Sequence, residues 1–204
     1  MWALVEDNAI TKIINNPKTM VIGDVRHSRN IFSFRWTNEE REAIGLYEIV
    51  FDNSNKRDEA YYNNTNQSFN FADEVATASY GSATAKLLED RNEVDEDGEP
   101  LLDDNGDQVV TKGLKTKHKR IIKQQASGLL TPTDWYIIRK ADAGTAVLNA
   151  ITTHRAAVRT KSGEMETIID NASDVDALAA LYEYTEQEDG SHTRPLGEFP
   201  ILEV

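Results

Sequence analysis

Along residues 1–90 apolar positions recur every second residue, whereas from Leu114 onward they recur at three and four, so the chain changes secondary-structure class part-way. Trp2 and Leu4 precede the turn dipeptide Asp7-Asn8. Ile10-Thr11-Lys12-Ile13-Ile14 follows it and Asn15-Asn16-Pro17 ends the run, which predicts a hairpin. Met20-Val21-Ile22 ends at Gly23-Asp24, and the run Ile31–Trp36 alternates with period two as a further strand does. Thr37-Asn38-Glu39-Glu40 is a capping box, in which hydroxyl and carboxylate each take the other residue's amide. It starts a short helix that Gly45 stops. Leu46–Phe51 predicts a strand and 53–66 a polar surface loop. Ser68–Phe71 and Val75–Tyr80 predict a second hairpin around Ala72-Asp73-Glu74. Short strands with one short helix make a compact α+β unit over 1–90.

The segment 91–113 differs in kind. Asp97-Gly98 and Asn105-Gly106 are hairpin turn dipeptides eight residues apart. They predict a protruding acidic β-hairpin or small meander with too few apolar groups for a core of its own. Beyond it, Leu114, Ile121, Ile122, Ala126, Leu129 and Leu130 share one helix face, ended by Gly128 and Thr131-Pro132. Thr131 as N-cap, Pro132 at the first helical position and Asp134 in the first turn predict a shorter helix. Trp135 and Ile138 are its expected inward anchors and Gly144 its stop. Ile151, Val158, Met165 and Ala172 recur every seven, joined by Leu148, Ile168 and Ile169, and predict a long helix over 149–170. Ser173–Asp176 caps a last helix with Val175, Leu178, Leu181 and Tyr182 inward, and the tail around Pro195 and Pro200 reads as loop. The expected fold class is therefore α+β. Its parts are a small β-rich α+β domain (1–90), an acidic β-hairpin or linker (91–113), and a helical domain with an irregular C-terminal tail (114–204).

Composition changes this picture mainly by exclusion. The 204 residues include no cysteine, which removes disulfides, thiolate metal sites and cysteine nucleophiles. No run approaches the roughly 18 apolar residues of a membrane span, and the opening MWALVEDNAI lacks the basic and apolar regions of a secretory signal. The net charge is −13 but unevenly spread: −5 over 1–90, −7 over 91–111, +7 over 112–140 and −8 over 141–204. Nucleic acid is not an expected partner of so acidic a chain. The basic block beside the acidic one means either self-neutralisation or contact between subunits.

Candidate chemistry is sparse. Read as a calcium loop with Gly98 at the sixth position, the acidic segment puts Glu93 first and Asp104 twelfth. Read with Gly106 sixth, it puts Leu101 first; both fail the ligand pattern. His27, His118, His154 and His192 have no partners at metal-ligand spacing, so no metal and no cofactor are expected. No nucleophile elbow, phosphate loop or zinc-protease helix occurs, no catalytic residue is assigned, and the chain is not expected to be an enzyme. Trp135, Tyr136, Arg139, Arg155 and Arg159 fall on neighbouring predicted helices, and such residues are enriched at protein interfaces. With Asp95, Asp97, Asp103 and Asp104 they are the candidate partner-binding residues. The alternatives are a buried Trp135 and arginines held in intramolecular salt bridges.

Gln125–Glu183 carries Leu-Leu before Thr131-x-x-Asp134-Trp135, the link Arg139-Lys140-Ala141-Asp142-x-Gly144-Thr145, and Thr152-x-x-Arg155-Ala156-Ala157-Val158-Arg159. It resembles the C-terminal helical region of bacteriophage tail-fibre and tail-fibre assembly proteins. Pro195-Leu196-Gly197-Glu198-Phe199-Pro200 is similar to their aromatic-proline ending, with Phe199 where tryptophan is commoner. MWALVEDNAITKIINNP and REAIGLYEIVFDN resemble N-terminal regions of marine-phage virion proteins. The resemblance implies a structural virion component of the tail, fibre or baseplate region, made in the host cytoplasm. Its partners would be other tail or fibre proteins and further copies of itself. A fibre-assembly chaperone is the alternative, and a calcium-dependent binding module is a weaker one. The resemblance supplies no catalytic residues.

Overall fold

Alanines at inward positions let a five-stranded sheet curl until its edges meet. The computed structural model describes residues 1–202, is α+β, and divides into two units, 1–84 and from Ala85 onward. In chain order the first unit holds β1 (Trp2–Glu6), β2 (Ala9–Ile14), β3 (Met20–Ile22), β4 (Val25–His27), α1 (Asn38–Glu42), β5 (Leu46–Asp52), β6 (Tyr62–Asn63), β7 (Ser68–Ala72) and β8 (Val75–Ser79). The sheet order is β2-β1-β5-β8-β7, antiparallel except for the parallel β5/β8 pair. Ala3, Val5, Ile49, Ala76 and Ala78 pack on one face; Leu4, Ile14 and Leu46 pack on the other with Ile31. Small side chains on the first face give it a tight radius, and β2 and β7 come into contact.

Both hairpins turn on two left-handed residues, Asp7 and Asn8 at φ 50° and 61° and Asp73 and Glu74 at 50° and 60°. This is the turn geometry that matches strand twist. The Thr37 capping box forms as expected, with Thr37 N–H donating to Glu40 Oε2 at 2.8 Å and Glu40 N–H to Thr37 Oγ1 at 3.2 Å. The strand expected over Ile31–Trp36 does not. Residues Arg29–Phe32 form a 3-10 turn started by Ser28. Buried Arg41 donates from Nε to the Ile31 carbonyl at 2.8 Å and from Nη2 to the Ser33 carbonyl. Those carbonyls are then lost to any ladder, and of the alternating aromatics Phe34 is left 95% exposed.

The second unit begins in β9 (Thr84–Ala85), whose first residue ends the other unit, and continues through β10 (Arg91–Asn92), β11 (Val110–Thr111), α2 (Leu114–Leu130), α3 (Asp134–Ala143), α4 (Asn149–Asp170), α5 (Val175–Ala180), β12 (Thr185–Glu186) and β13 (His192–Thr193). The heptad run Ile151, Val158, Met165 and Ala172 is buried as its period requires, and α4 continues through Gly163 without a break. It packs along α2, where Leu114, Ile122 and Ala126 are buried but Ile121 and Leu129 are exposed. Leu148 is exposed too, because it stands just before α4 as its N-cap and not on its inner face. The tail expected to be loop contains the β12/β13 hairpin, and Leu196 behind it is fully buried, its N–H donating to the Leu181 carbonyl.

Gly45 locks the first unit. It lies at φ +76°, and a Cβ there would sit 2.5 Å from the Val5 carbonyl oxygen. Gly45→Ala is therefore expected to destabilise by about 2 kcal/mol or more, combining left-handed strain with a backbone clash. Urea denaturation checks this; a loss under half that size contradicts it.

Candidate docking surface

Two features of the second unit carry the candidate residues, one at each end of α2. At its C-terminal end the chain turns through a 3-10 segment, Thr131–Thr133, into α3. Thr131 is not the N-cap its sequence suggests: its hydroxyl donates back to the Ser127 carbonyl at 2.8 Å and closes α2. The turn is held from α4. Arg155, 6% exposed, donates from Nη1 to the Leu130 carbonyl at 2.7 Å and to Thr133 Oγ1 at 2.6 Å. Its Nη2 pairs with Asp134 Oδ1 at 2.7 Å. Arg155 is therefore a clamp inside the unit and not a contact group for a partner.

The clamp fixes where α3 starts but leaves its body uncovered. None of the ten residues of α3 is buried. Trp135 is 55% exposed and Ile138 66%, so the two residues expected to anchor this helix inward face solvent, together with Ile137. α4 reaches the turn through the Arg155 fork, and α3 packs chiefly on the neighbouring 3-10 segment. Trp135 and Tyr136 sit with ring centroids 6.0 Å apart, and the Arg139 guanidinium lies 4.8 Å from the first ring and 5.7 Å from the second. Arg139 Nε is buried without an acceptor. Arg159 is exposed and lines a shallow groove of about 390 Å³ between α2 and α4 with Lys123 and Glu166.

At the N-terminal end of α2 stands the acidic segment, folded as three short runs that close on one another. Glu93 N–H donates to the Val109 carbonyl at 2.9 Å, Leu101 N–H to the Glu93 carbonyl at 3.0 Å, and Val109 N–H to the Leu101 carbonyl at 2.8 Å. The Gln108 side-chain amide sits at the centre of this ring and donates toward the same three carbonyls at 2.7, 3.1 and 3.0 Å. The two turns are copies. Gly98 and Gly106 lie at φ +85° and +84°, and Asp95 and Asp103 each accept two turn amides on Oδ1 at 2.8–3.0 Å. Those amide bonds hold the Asp103 carboxyl below its usual range. This acidic collar, residues 93–109, is anchored to α2 by Asp90, whose carboxylate accepts from Lys112 Nζ and from Gly113 N–H at 2.9 Å each and is held down to about 2, the lysine bond first.

The candidate carboxylates thus separate. Asp95 and Asp103 shape turns, whereas Asp97 and Asp104 point charge outward. Among the described residues Glu96, Asp97, Glu99, Asp104 and Asp107 form no ion pair. The basic block does not fold back on them. Lys115, Lys119 and Lys123 recur every fourth residue along α2 and pair with Glu89, Asp170 and Glu166. No group of three or more histidine, aspartate and glutamate side chains is placed to hold a metal among the described residues, and no described helix is long and apolar enough to cross a membrane. No family model, curated protein or solved structure matches this chain.

Sequence reading missed two parts of this surface. Ile137 was not singled out, and Gln108 stood outside every recognised motif. The signal for the ring was present as the recurrence of Asp95-x-x-Gly98 at Asp103-x-x-Gly106. Arg155→Ala should cost about 2–3 kcal/mol by stripping the Leu130 carbonyl, Thr133 and Asp134 of one shared donor. Arg155→Lys should recover only part of it, lacking the planar fork. Urea titrations of both variants check this, and full recovery by lysine would show that charge alone matters.

Proposed function

We propose that this chain is a non-enzymatic structural protein of a bacteriophage virion, built into the tail, fibre or baseplate region and working by protein–protein docking. The observation that carries the docking reading is α3, a ten-residue helix that buries none of its residues and turns Trp135, Ile137 and Ile138 outward. A helix this short is marginal alone in water and is stabilised chiefly by tertiary packing of an apolar face. Exposed tryptophan beside arginine is also the composition of interface anchors. The phage assignment is supported by the resemblance of Gln125–Glu183, MWALVEDNAITKIINNP and REAIGLYEIVFDN to phage tail-related sequences. The partners are then other tail or fibre proteins and further copies of the chain, and its place of work is the virion.

The second reading is an assembly chaperone that binds the fibre tip and leaves. Resemblance of the helical region to tail-fibre assembly proteins favours it, whereas the folded β unit over 1–84 favours a built-in part. Quantitative mass spectrometry of purified particles separates the two. A built-in part is present in fixed stoichiometry, and Trp135→Ala lowers its incorporation by at least about tenfold. A chaperone is found on fibres in the infected cell and is absent from particles. Absence from both contradicts the phage assignment.

A further inference from the structure

The unpaired surfaces at the two ends of α2 are complementary in charge and in hydropathy. At the N-terminal end the collar exposes Val94, Leu101 and Leu102, at 56, 41 and 55%, between turns whose carboxylates have no ionic partner. At the C-terminal end α3 exposes Trp135 and Ile138 beside Arg139 and Lys140. Neither cation has an ion pair among the described residues, and Arg139 Nε lacks an acceptor. One end is apolar with negative charge, the other aromatic with positive charge.

These surfaces do not meet within one copy. The collar joins α2 through the Arg91/Thr111 pair and the Asp90–Gly113 hydrogen bond, before the first turn of the helix. Helix α3 begins after its last turn, 17 residues on, a separation of roughly 25 Å at 1.5 Å per residue. No hydrogen bond or ion pair links the collar to α3 among the described residues. Lys115, Lys119 and Lys123 are taken by Glu89, Asp170 and Glu166, whereas Lys117 and Arg120 on α2, like Arg139 and Lys140 on α3, form no ion pair among the described residues.

We infer that the chain associates head to tail with a second copy, the acidic collar of one docking on the Trp135–Lys140 face of the next. The inference rests on the docking reading above and is independent of the phage assignment. Carboxylates around Asp97 and Asp104 meet Arg139 and Lys140, while Leu102 and its neighbours cover Trp135 and Ile138. Such a contact is heterologous: each copy keeps one free collar and one free α3, and repetition gives a ring or an open filament. The charge pairs steer the approach and fix its direction, and the desolvated tryptophan supplies most of the affinity.

The test uses the full chain and two variants, at exposed positions apart from half-buried Arg139. The collar variant is Asp97→Lys/Asp104→Lys; the α3 variant is Trp135→Ala/Arg139→Glu. Sedimentation velocity from micromolar to millimolar concentration should show the wild type forming oligomers that weaken as salt rises. Each variant alone should associate at least about tenfold more weakly. Mixed together they should form a one-to-one dimer that grows no further, because the mixture holds one intact collar and one intact α3. Dimer formation by the mixture also proves both variants folded. Three results overturn the inference: a wild type that stays monomeric throughout, a collar variant that self-associates like the wild type through α3 alone, and a mixture that gives no dimer although both variants keep the wild-type melting temperature. Should either variant lose its melting transition, Leu102→Ser and Ile138→Ser replace the pair under the same criteria. Particle composition is a separate measurement, so failure of the phage assignment leaves this result standing and the reverse.

Discussion

One guanidinium decides what the second unit shows to its surroundings. Arg155 reaches from α4 to the chain as it leaves α2, takes the Leu130 carbonyl and Thr133 hydroxyl, and pairs with Asp134. A buried cation of this kind needs each of its donors matched, and the turn into α3 supplies the acceptors. The same contact that satisfies Arg155 fixes the first residue of α3 and lets the rest project uncovered. The exposed tryptophan and isoleucines are thus a consequence of how the turn is held. A sequence with an aliphatic residue at 155 would have no such reason to hold α3 off α4.

Charge distribution follows from similar local constraints. Lys115, Lys119 and Lys123 lie on one face because they recur every fourth residue; Lys119 and Lys123 meet carboxylates of α4, and buried Lys115 meets Glu89. Exposed ion pairs such as Lys123–Glu166 contribute only about 0–1 kcal/mol each, so their larger effect is to remove cations from competition. What remains unpaired is negative at the collar and positive at α3 and at Lys117 and Arg120 of α2. The collar tolerates its uncompensated charge because the fold there is maintained by backbone: a closed ring of three hydrogen bonds, the Gln108 amide at its centre, and two turns whose aspartates cap their own amides.

Much of this architecture was legible in the residues, and the gaps have physical causes. The heptad run in α4, the Thr37 capping box and the Asp7-Asn8 turn are local patterns, and local geometry realises them. Alternation over Ile31–Trp36 failed because a long-range group, Arg41, claims the carbonyls a strand would use. Periodicity points Ile138 inward and leaves Trp135 between core and interface; whether a neighbour exists to receive them is a tertiary fact absent from the periodicity. For Arg155 the residues leave a partner contact and an intramolecular salt bridge both open, since its acceptors lie 21–25 positions earlier in the chain; the pair with Asp134 is the latter. In the acidic segment Asp97-Gly98 and Asn105-Gly106 predict a hairpin or small meander, but its ring closure needs all three runs at once, and only the eight-residue recurrence hints at it.

Amide hydrogen exchange tests the central claim, that α3 and the collar are uncovered in the single copy and covered together on docking. In dilute protein α3 amides 135–143 should exchange far faster than those of α2 and α4, since the helix lacks tertiary packing. In concentrated or assembled protein, protection should rise in α3 and in 94–107 in parallel while the cores of α2 and α4 stay unchanged. Protection of α3 in dilute protein equal to that of α4, or protection on assembly that leaves both segments unaltered, would contradict the account.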